Sequence, residues 1–226
     1  MQTWKTHSIL DVNPYVVLKQ LNHGQLDTAR ILLGKNHRNV VEYLALSTIG
    51  DTAVVLEEYV KGKTLDQVIR FENREFSEGE ILQMGIQICE GIKFFHSLTP
   101  PLIHGDIKPE NIMLLDWPGE NPYVKIIDGD DACIWRDVPV YEMNRGTPGF
   151  CAPEQNKGGL PDFSWDIYGL GKTLEFLYLG TEKKRHKNRI NAILNKMTAT
   201  EASKRFVTVS ECKLELESAL STLSGY

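Results

Sequence analysis

The most informative stretch of this sequence reads Leu102-Ile-His-Gly-Asp-Ile-Lys-Pro-Glu-Asn-Ile-Met113, and the run Val124-Lys-Ile-Ile-Asp128 follows it. The first stretch places a carboxylate, a cation and an amide on one tight loop, and the second ends an apolar run in another carboxylate. Phosphoryl transfer from a nucleotide needs such a set. One carboxylate orients the attacking hydroxyl, the cation neutralises the moving phosphoryl, and an amide with a carboxylate holds Mg²⁺. A polar loop between two strands is the plain alternative.

These two stretches resemble the catalytic and metal-binding loops of eukaryotic-like, bacterial-style Ser/Thr protein kinases. The resemblance runs from about residue 15 to about residue 215. It implies an α+β, two-lobed, protein-kinase-like fold. A reduced, β-rich N-terminal lobe with one short helix would span residues 1–60. A helical C-terminal lobe carrying the catalytic and activation segments would span residues 61–226.

The resemblance assigns a role to each polar residue of the two loops. Asp106 would orient the substrate hydroxyl and accept its proton, and Lys108 would contact the γ-phosphate, which makes these two the predicted catalytic residues. Asn111 and Asp128 would bind Mg²⁺. The implied cofactors are therefore ATP and Mg²⁺.

Five residues are predicted to bind the nucleotide. The backbone of Glu58 and Val60 would meet the adenine, Met113 would form the floor under the ring, and Glu110 would lie near the ribose. Lys19, in a β-branched apolar run, would clamp the α- and β-phosphates. An ordinary strand lysine is the alternative interpretation of Lys19.

The segment Gly146-Thr-Pro-Gly-Phe-Cys-Ala-Pro-Glu154 resembles the end of a kinase activation segment. Thr147 would reach back to Asp106 and Lys108, a combination typical of the Ser/Thr-directed branch of the family. Glu154 would pair with Arg205, and Asp166 would bond the backbone of the catalytic loop; surface charges on helices are the alternative for these residues. Position 105 is Gly where many members carry Arg, which implies activity without an activation-loop phosphate.

The sequence departs from the family pattern in its first third and just after Asp128. No glycine precedes the Lys19 strand, so the Gly-rich phosphate-binding hairpin is missing. The helix that should offer Lys19 a glutamate offers only Asp27, which is one methylene short. Gly129 replaces the family's buried Phe, so the gap must be filled otherwise or the loop is mobile. Glu57 is the only acidic side chain that the resemblance places behind the nucleotide, and it is predicted to pair with Lys19; a solvent-facing strand residue is the alternative.

Local patterns predict the elements that carry these residues. Apolar and β-branched runs predict strands at 15–21, 40–46 and 52–59, with a turn-like break at 61–63 and a short helix at 25–35. Capping boxes predict helix starts at Thr64, Ser77 and Thr208. The second of these opens a long helix with an apolar stripe at Ile81, Met84, Ile88, Ile92 and Phe95.

Composition restricts the possible partners and location. The net charge of −5 argues against a general nucleic-acid binder, and no apolar run approaches the ~20 residues that span a bilayer. Four widely spaced cysteines without a Cys-x-x-Cys pair, and an N-terminus without a signal-peptide run, favour reduced thiols in a cytoplasmic protein. The basic run at 183–187 would be a solvated loop or a docking site for an acidic partner.

The preferred hypothesis is a minimal Ser/Thr protein kinase that acts on a protein substrate. A pseudokinase, which keeps the fold as a binding or regulatory module without turnover, is the alternative from another class. The missing hairpin, the missing helix glutamate and Gly129 favour the module, whereas Asp106, Lys108, Asn111 and Asp128 favour the enzyme. A small-molecule kinase is disfavoured by the activation segment.

Overall fold

The computed structural model describes residues 2–5, 15–116, 121–136, 146–179 and 187–223. The basic run at 183–187 therefore lies outside the described residues, except for the backbone of its last member. The strands within the described ranges are β1 (Gln2–Lys5), β2 (Tyr15–Gln20), β3 (Tyr43–Ile49), β4 (Thr52–Glu58), β5 (Gly62–Thr64), β6 (Leu102–Ile103), β7 (Ile112–Leu115), β8 (Val124–Ile126) and β9 (Cys133–Ile134). The α-helices are α1 (His23–Leu32), α2 (Leu65–Glu72), α3 (Glu78–His96), α4 (Phe163–Leu179), α5 (Lys187–Met197) and α6 (Val209–Leu223).

The first four strands form one antiparallel sheet in the order β1-β2-β4-β3. Strand β2 is rich in β-branched residues that suit a pleated surface, and it pairs with β4 so that Lys19 lies opposite Val55. Helix α1 lies between β2 and β3 along the chain, and the other helices follow the sheet, with short strands around the loop at 104–111. The predicted α+β class is confirmed; the division into lobes at residues 60 and 61 remains a prediction.

Three of the predicted elements differ from the structure. The helix predicted at 25–35 runs from His23 to Leu32. The strand predicted at 40–46 begins only at Tyr43, because Val40 makes an isolated bridge to Ile126 instead. The break predicted at 61–63 contains strand β5, which pairs with β7. Glycine is required at position 62, since a Cβ there would collide with the carbonyl oxygen of Leu114.

The predicted capping boxes at Thr64 and Ser77 are confirmed, each with reciprocal side-chain and backbone hydrogen bonds. The third is only half formed. The Thr208 hydroxyl accepts from the Glu211 amide at 3.3 Å, but the Glu211 carboxylate accepts from the amide of Val207, one residue earlier, at 3.1 Å. The last helix still begins where the pattern predicts, because the cap satisfies one of its free amides.

Helix α3 forms the centre of the helical part. Its predicted apolar stripe is fully buried, and it packs against α4, α6 and strand β8. The loop after α1 is bonded to β8 by backbone hydrogen bonds from the Val41 amide to Ile126 at 2.9 Å and from the Ile126 amide to Asn39 at 2.8 Å. These bonds connect the four-stranded sheet to the strand that leads into Asp128.

All four cysteines are buried, and none of them forms a disulfide. Across the part of the chain that the structure describes, the helices are too short or too polar to cross a bilayer.

Candidate active site

Asp106 is the centre of a closed hydrogen-bond network. The Thr147 hydroxyl donates to its Oδ1 at 2.8 Å, the Lys108 Nζ lies 2.6 Å from its Oδ2, and the Asn111 amide donates to Oδ2 at 3.1 Å. The Lys108 Nζ also donates to the Thr147 Oγ1 at 2.6 Å. The predicted contacts of Thr147 with Asp106 and Lys108 are therefore confirmed, and the three side chains hold one another in place.

The backbone of the loop that carries Asp106 is held by Asp166, which is fully buried in the first turn of α4. As predicted, its carboxylate accepts hydrogen bonds from the loop, from the amides of His104 at 3.0 Å and Gly105 at 2.7 Å. Gly105 has a φ of 74°, which a glycine adopts without strain. An arginine at this position would be strained.

His104 was not predicted to matter, yet it joins the two loops. Its Nε2 lies 3.0 Å from the carbonyl oxygen of Ile127, and its Nδ1 lies 3.4 Å from the amide of Asp106. A second bond between the loops runs from the Ile127 amide to the carbonyl oxygen of Asn111 at 2.9 Å. The carboxylate that ends the β8 run is thereby held beside the Asp106 loop.

Lys19 contacts three carboxylates. Its Nζ lies 2.6 Å from Asp128 Oδ1, 3.0 Å from Asp130 Oδ1 and 3.3 Å from Glu57 Oε1. The predicted contact with Glu57 is confirmed. The expectation that Glu57 is the only acidic group at this place was wrong, because the turn after Asp128 directs Asp130 to the same ammonium.

The charges of this cluster shift one another's pKa values. Burial lowers the pKa of Lys19, but the three carboxylates outweigh burial and hold that pKa above its usual value. Burial also raises the pKa of Asp128, yet Lys19 is the main cause that brings it below its usual value. For Glu57, burial and the neighbouring carboxylates outweigh Lys19 and raise its pKa to about 7.

Helix α1 does not supply a carboxylate to Lys19 from any of its described side chains. Asp27 pairs with Arg30 at 3.1 Å on the outer face, and 75% of its side chain is exposed. The helix instead holds the turn at 128–131. Gln25 Nε2 donates to Asp131 Oδ1 at 2.7 Å, and the Thr28 hydroxyl donates to the carbonyl oxygen of Ala132 at 2.9 Å.

The space that the family fills with Phe is occupied by other side chains. A Cβ added at Gly129 would lie 2.9 Å from Phe95 Cζ and 3.3 Å from Leu32 Cδ1. The Phe95 ring also makes an edge contact with the His104 ring at 5.3 Å. The sequence left open whether the gap is filled or the loop is mobile. In the structure the gap is filled by the Phe95 ring of α3 and the Leu32 side chain of α1.

The residues predicted to hold the nucleotide base and ribose lie around the end of β4 and on β7. The carboxylate of Glu58 is engaged by Lys125 and by the amide of Glu42, so its side chain is not directed to a base. Val60 packs against the core, and Met113 lies in β7 opposite Thr64. The Oε2 atom of Glu110 is buried without a hydrogen-bond partner among the described residues. Contact of these residues with a nucleotide remains a prediction.

The donor set of the two loops fits Mg²⁺, which prefers oxygen ligands and usually takes one or two from the protein. The Asn111 nitrogen donates to the carbonyl oxygen of Asp106 at 2.9 Å and to its carboxylate, which leaves the amide oxygen for a cation. Asp128 offers a carboxylate that is 40% exposed.

The segment that carries Thr147 is anchored to the helical part. As predicted, Arg205 pairs with Glu154, by two parallel bonds of 2.6 and 2.8 Å. Arg205 is fully buried and also donates to the carbonyl oxygens of Ser164 and Ala199. A planar guanidinium suits this site, because it bonds a carboxylate and three carbonyl oxygens at once, the third being that of Thr200.

An aromatic stack, which the sequence did not reveal, fixes the chain beyond β9. The His96 and Phe163 rings lie 4.3 Å apart, the Phe163 and Trp135 rings are parallel at 5.2 Å, and Arg136 lies 4.6 Å from the Trp135 ring centre. The stack joins the ends of α3 and α4 to residues 135–136. The only sequence signal was the Trp-Arg pair after β9.

The fold and the residues gathered in this cleft are those of a kinase domain. Residues 15–223 match the family described as "Protein kinase domain", so the chain belongs to the protein kinase family. The resemblance drawn from the catalytic loop and the predicted kinase-like fold are thereby confirmed.

Several curated proteins are similar to this chain. Myosin light chain kinase 2, skeletal/cardiac muscle, of Bos taurus is 32% identical over 145 residues, which cover 64% of this chain and 23% of that protein. Serine/threonine-protein kinase C of Synechocystis is 32% identical over 152 residues, covering 66% and 28%. Serine/threonine-protein kinase pkn3 of Myxococcus xanthus is 30% identical over 190 residues, covering 76% and 34%. The matched region thus spans only about a quarter to a third of these relatives' length.

Proposed function

We propose that this chain transfers a phosphoryl group from ATP, with Mg²⁺, to a Ser or Thr hydroxyl of a protein. The observation that carries the proposal is the closed network of Asp106, Lys108 and Thr147. Both carboxylate oxygens of Asp106 have a partner at hydrogen-bond distance in this network. A module without turnover has no need to hold these three groups in register. Positioning and charge stabilisation are what phosphoryl transfer requires of a protein.

In this proposal each residue of the network has a defined role. Asp106 orients the substrate hydroxyl and takes its proton, while Thr147 and Asn111 prevent its carboxylate from rotating. Lys108 stabilises the negative charge that moves with the phosphoryl group. Bound MgATP supplies the phosphoryl group and the metal charge, and Asn111 and Asp128 hold the metal.

The nucleotide is held by groups on both sides of the cleft. Lys19 meets the phosphates, the backbone of Glu58 and Val60 meets the adenine, Met113 lies under it, and Glu110 receives the ribose. Backbone recognition does not depend on side-chain identity, so base binding is compatible with the lack of glycine between β1 and β2. We also propose the lobe division at residues 60 and 61, a cytoplasmic location and a protein rather than nucleic-acid substrate.

The second candidate is a pseudokinase. It is favoured by the direct contact of Lys19 with Asp128 at 2.6 Å. In this contact Lys19 takes the place predicted for Mg²⁺ at Asp128, and Asp128 takes the place predicted for the nucleotide phosphates at Lys19. The segment between β1 and β2 contains no glycine, which points the same way, because the family's phosphate-covering hairpin is rich in glycine. In this alternative the cleft is closed by its own charges and the chain acts by binding a partner.

Transfer of labelled phosphate separates the two candidates. The purified chain is incubated with radiolabelled ATP and Mg²⁺, with itself or a generic basic protein as acceptor. Asp106→Asn should lower transfer by about 10²–10⁴-fold while MgATP binding stays within about twofold. The exposed Asp116→Asn is the matched control and should retain activity. Wild-type protein that binds MgATP without transfer, or that fails to bind it, would favour the pseudokinase.

A further inference from the structure

Asp130, the second acidic residue of the turn at 128–131, has no role in the proposed catalytic mechanism. Asp130 is buried, with a side chain only 5% exposed, and its Oδ1 accepts a hydrogen bond from Lys19 at 3.0 Å. A buried carboxylate needs partners to remain charged. Lys19 is the first of these partners, and the contact spans 111 positions of sequence.

Tyr43 fixes the same oxygen from another side. Its hydroxyl, at the start of β3, donates to Asp130 Oδ1 at 3.2 Å, and the residue is fully buried. Burial and the adjacent carboxylates raise the pKa of Tyr43 well above its usual value, so the hydroxyl keeps its proton. Asp130 is thus held by two donors from two strands, and it can in turn fix the direction of the Lys19 side chain.

Asp130 differs from the two other carboxylates around Lys19. Asp128 is 40% exposed and is the predicted metal ligand, so bound metal would compete with Lys19 for it. Glu57 lies farther away at 3.3 Å, and its Oε1 has no hydrogen-bond partner among the described residues. Asp130 combines burial with a directed hydrogen bond, which is the combination that locks a flexible lysine stem.

We propose that Asp130 is the positioning residue that holds Lys19 for the nucleotide phosphates, in place of a carboxylate from helix α1. The inference rests on the proposed function and deepens it. The lysine anchor and the metal ligand Asp128 then belong to the same turn. The described side chains of helix α1 support this turn indirectly, through the hydrogen bonds of Gln25 to Asp131 and of Thr28 to the carbonyl oxygen of Ala132.

The chain offers a matched control for this proposal. Asp131 is the next residue of the turn and carries the same charge, but it is exposed and bonds Gln25 rather than Lys19. Asp130→Asn and Asp131→Asn therefore remove one negative charge from neighbouring positions with the same change of shape. A general effect of charge or of turn stability would be common to both variants.

MgATP affinity and steady-state kinetics form the first arm of the test. Asp130→Asn should weaken MgATP binding and raise its KM by about tenfold or more, the usual effect of losing a hydrogen bond to a charged group. Asp131→Asn should stay within about twofold. In a Lys19→Ala background, Asp130→Asn should have no further effect, since a positioning residue acts only through the group it holds.

The second arm of the test measures the chemical reactivity of the Lys19 amine and does not depend on catalytic turnover. The native protein is treated with limiting acetic anhydride, and the labelling of Lys19 relative to the exposed Lys204 is measured by mass spectrometry. Asp130→Asn should increase Lys19 labelling several-fold, because a less tightly held ammonium deprotonates more readily. Tyr43→Phe, which removes one hydroxyl, should change labelling in the same direction and serves if Asp130→Asn does not fold.

The two arms separate failure of the inference from failure of the proposed function. Equal behaviour of Asp130→Asn and Asp131→Asn in Lys19 labelling would overturn the anchor, whatever the activity. Increased labelling in Asp130→Asn with no MgATP binding by wild-type protein would preserve the anchor and refute the kinase activity. Additive losses of MgATP affinity in the Lys19→Ala, Asp130→Asn pair would also overturn the anchor.

Discussion

Lys19 and Glu57 are diagonal neighbours on one face of the β2–β4 pair, with the lysine Nζ 3.3 Å from the glutamate Oε1 and only 11% and 3% of the side chains exposed. Val17 lies opposite Glu57 and Val55 lies opposite Lys19, so the two charged residues are two positions apart in register. A strand therefore provides one of the three acidic side chains around Lys19. Strands in a sheet move little relative to one another, so this contact does not depend on the position of α1.

The first prediction concerns the pH dependence of stability. The pKa of Glu57 is raised from 4.5 to about 7 in the folded chain, so the folded state binds this proton more tightly than the unfolded state does. The associated stability is fully present below pH 4.5 and is lost as the pH rises through about 7, with an upper bound of roughly 3 kcal/mol. Glu57→Gln should remove this slope in urea unfolding measured at pH 5, 6, 7 and 8.

The exposed Glu201→Gln is the control for this experiment and should leave the slope unchanged. If Glu57→Gln has the same slope as the wild type between pH 5 and 7, Glu57 is ionised throughout this range in the folded chain.

The second prediction concerns the metal. ATP should raise the Tm of the wild type only when Mg²⁺ is present, with a stabilisation of about 2.7 kcal/mol at a nucleotide concentration 100 times the Kd. Asp128→Ala should abolish the Mg²⁺-dependent part, because it removes a predicted metal oxygen. Asp116→Ala, an exposed carboxylate, should keep the full shift. An undiminished Mg²⁺-dependent shift in Asp128→Ala would exclude this residue as a metal ligand.

The third prediction concerns the packing of Phe95 and Gly129. Phe95→Ala should cost about 3–5 kcal/mol through loss of a fully buried ring. Gly129→Phe should cost about 1–3 kcal/mol or more, because its side chain would enter the space of Phe95. In the double variant the new ring can occupy the vacated space, so the total loss should be smaller than the sum.

Chemical denaturation of the four proteins measures this coupling. Phe95→Ala combined with Gly79→Ala, where an added Cβ makes only an ordinary contact with the Ser77 hydroxyl, should show additive effects. Additive losses in the Phe95, Gly129 pair would mean that the two positions do not share one space.

The fourth prediction concerns the Glu154–Arg205 pair. Glu154→Gln leaves a fully buried guanidinium without its counter-charge, so the free energy of unfolding should fall by about 3 kcal/mol. Lys204→Ala breaks an exposed pair with Glu201 and should change stability by less than about 1 kcal/mol. Similar losses in the two variants would show that Glu154 contributes no more than a surface charge.

The contacts that the sequence predicted correctly follow either from spacing within one motif or from the family resemblance. Asp106, Lys108 and Asn111 lie within six residues, so their loop could be anticipated, and the Thr147 and Asp166 contacts followed from the family resemblance. Asp130 could not be anticipated in the same way. Its direction depends on the left-handed backbone at Asp128, with a φ of 68°, and its partner is on a distant strand.

The packing partners of single side chains could not be predicted from the sequence either. The helical period places Phe95 on the buried face of α3, but it does not show what this face meets. That depends on how closely Gly129 approaches the helix. The strand at Gly62–Thr64 is too short to show a period of its own, and it forms because β7 is available as a partner.

The turn at 128–131 also has a consequence for how this chain can change by mutation. A one-residue insertion or deletion there would displace both the predicted metal ligand and the proposed anchor of Lys19, so a single mutational step would separate an active form from an inert one. Helix α1, in contrast, carries no charge on which Lys19 depends among its described side chains. Its outer face is therefore open to substitution, and a new binding surface could evolve there without loss of the cleft.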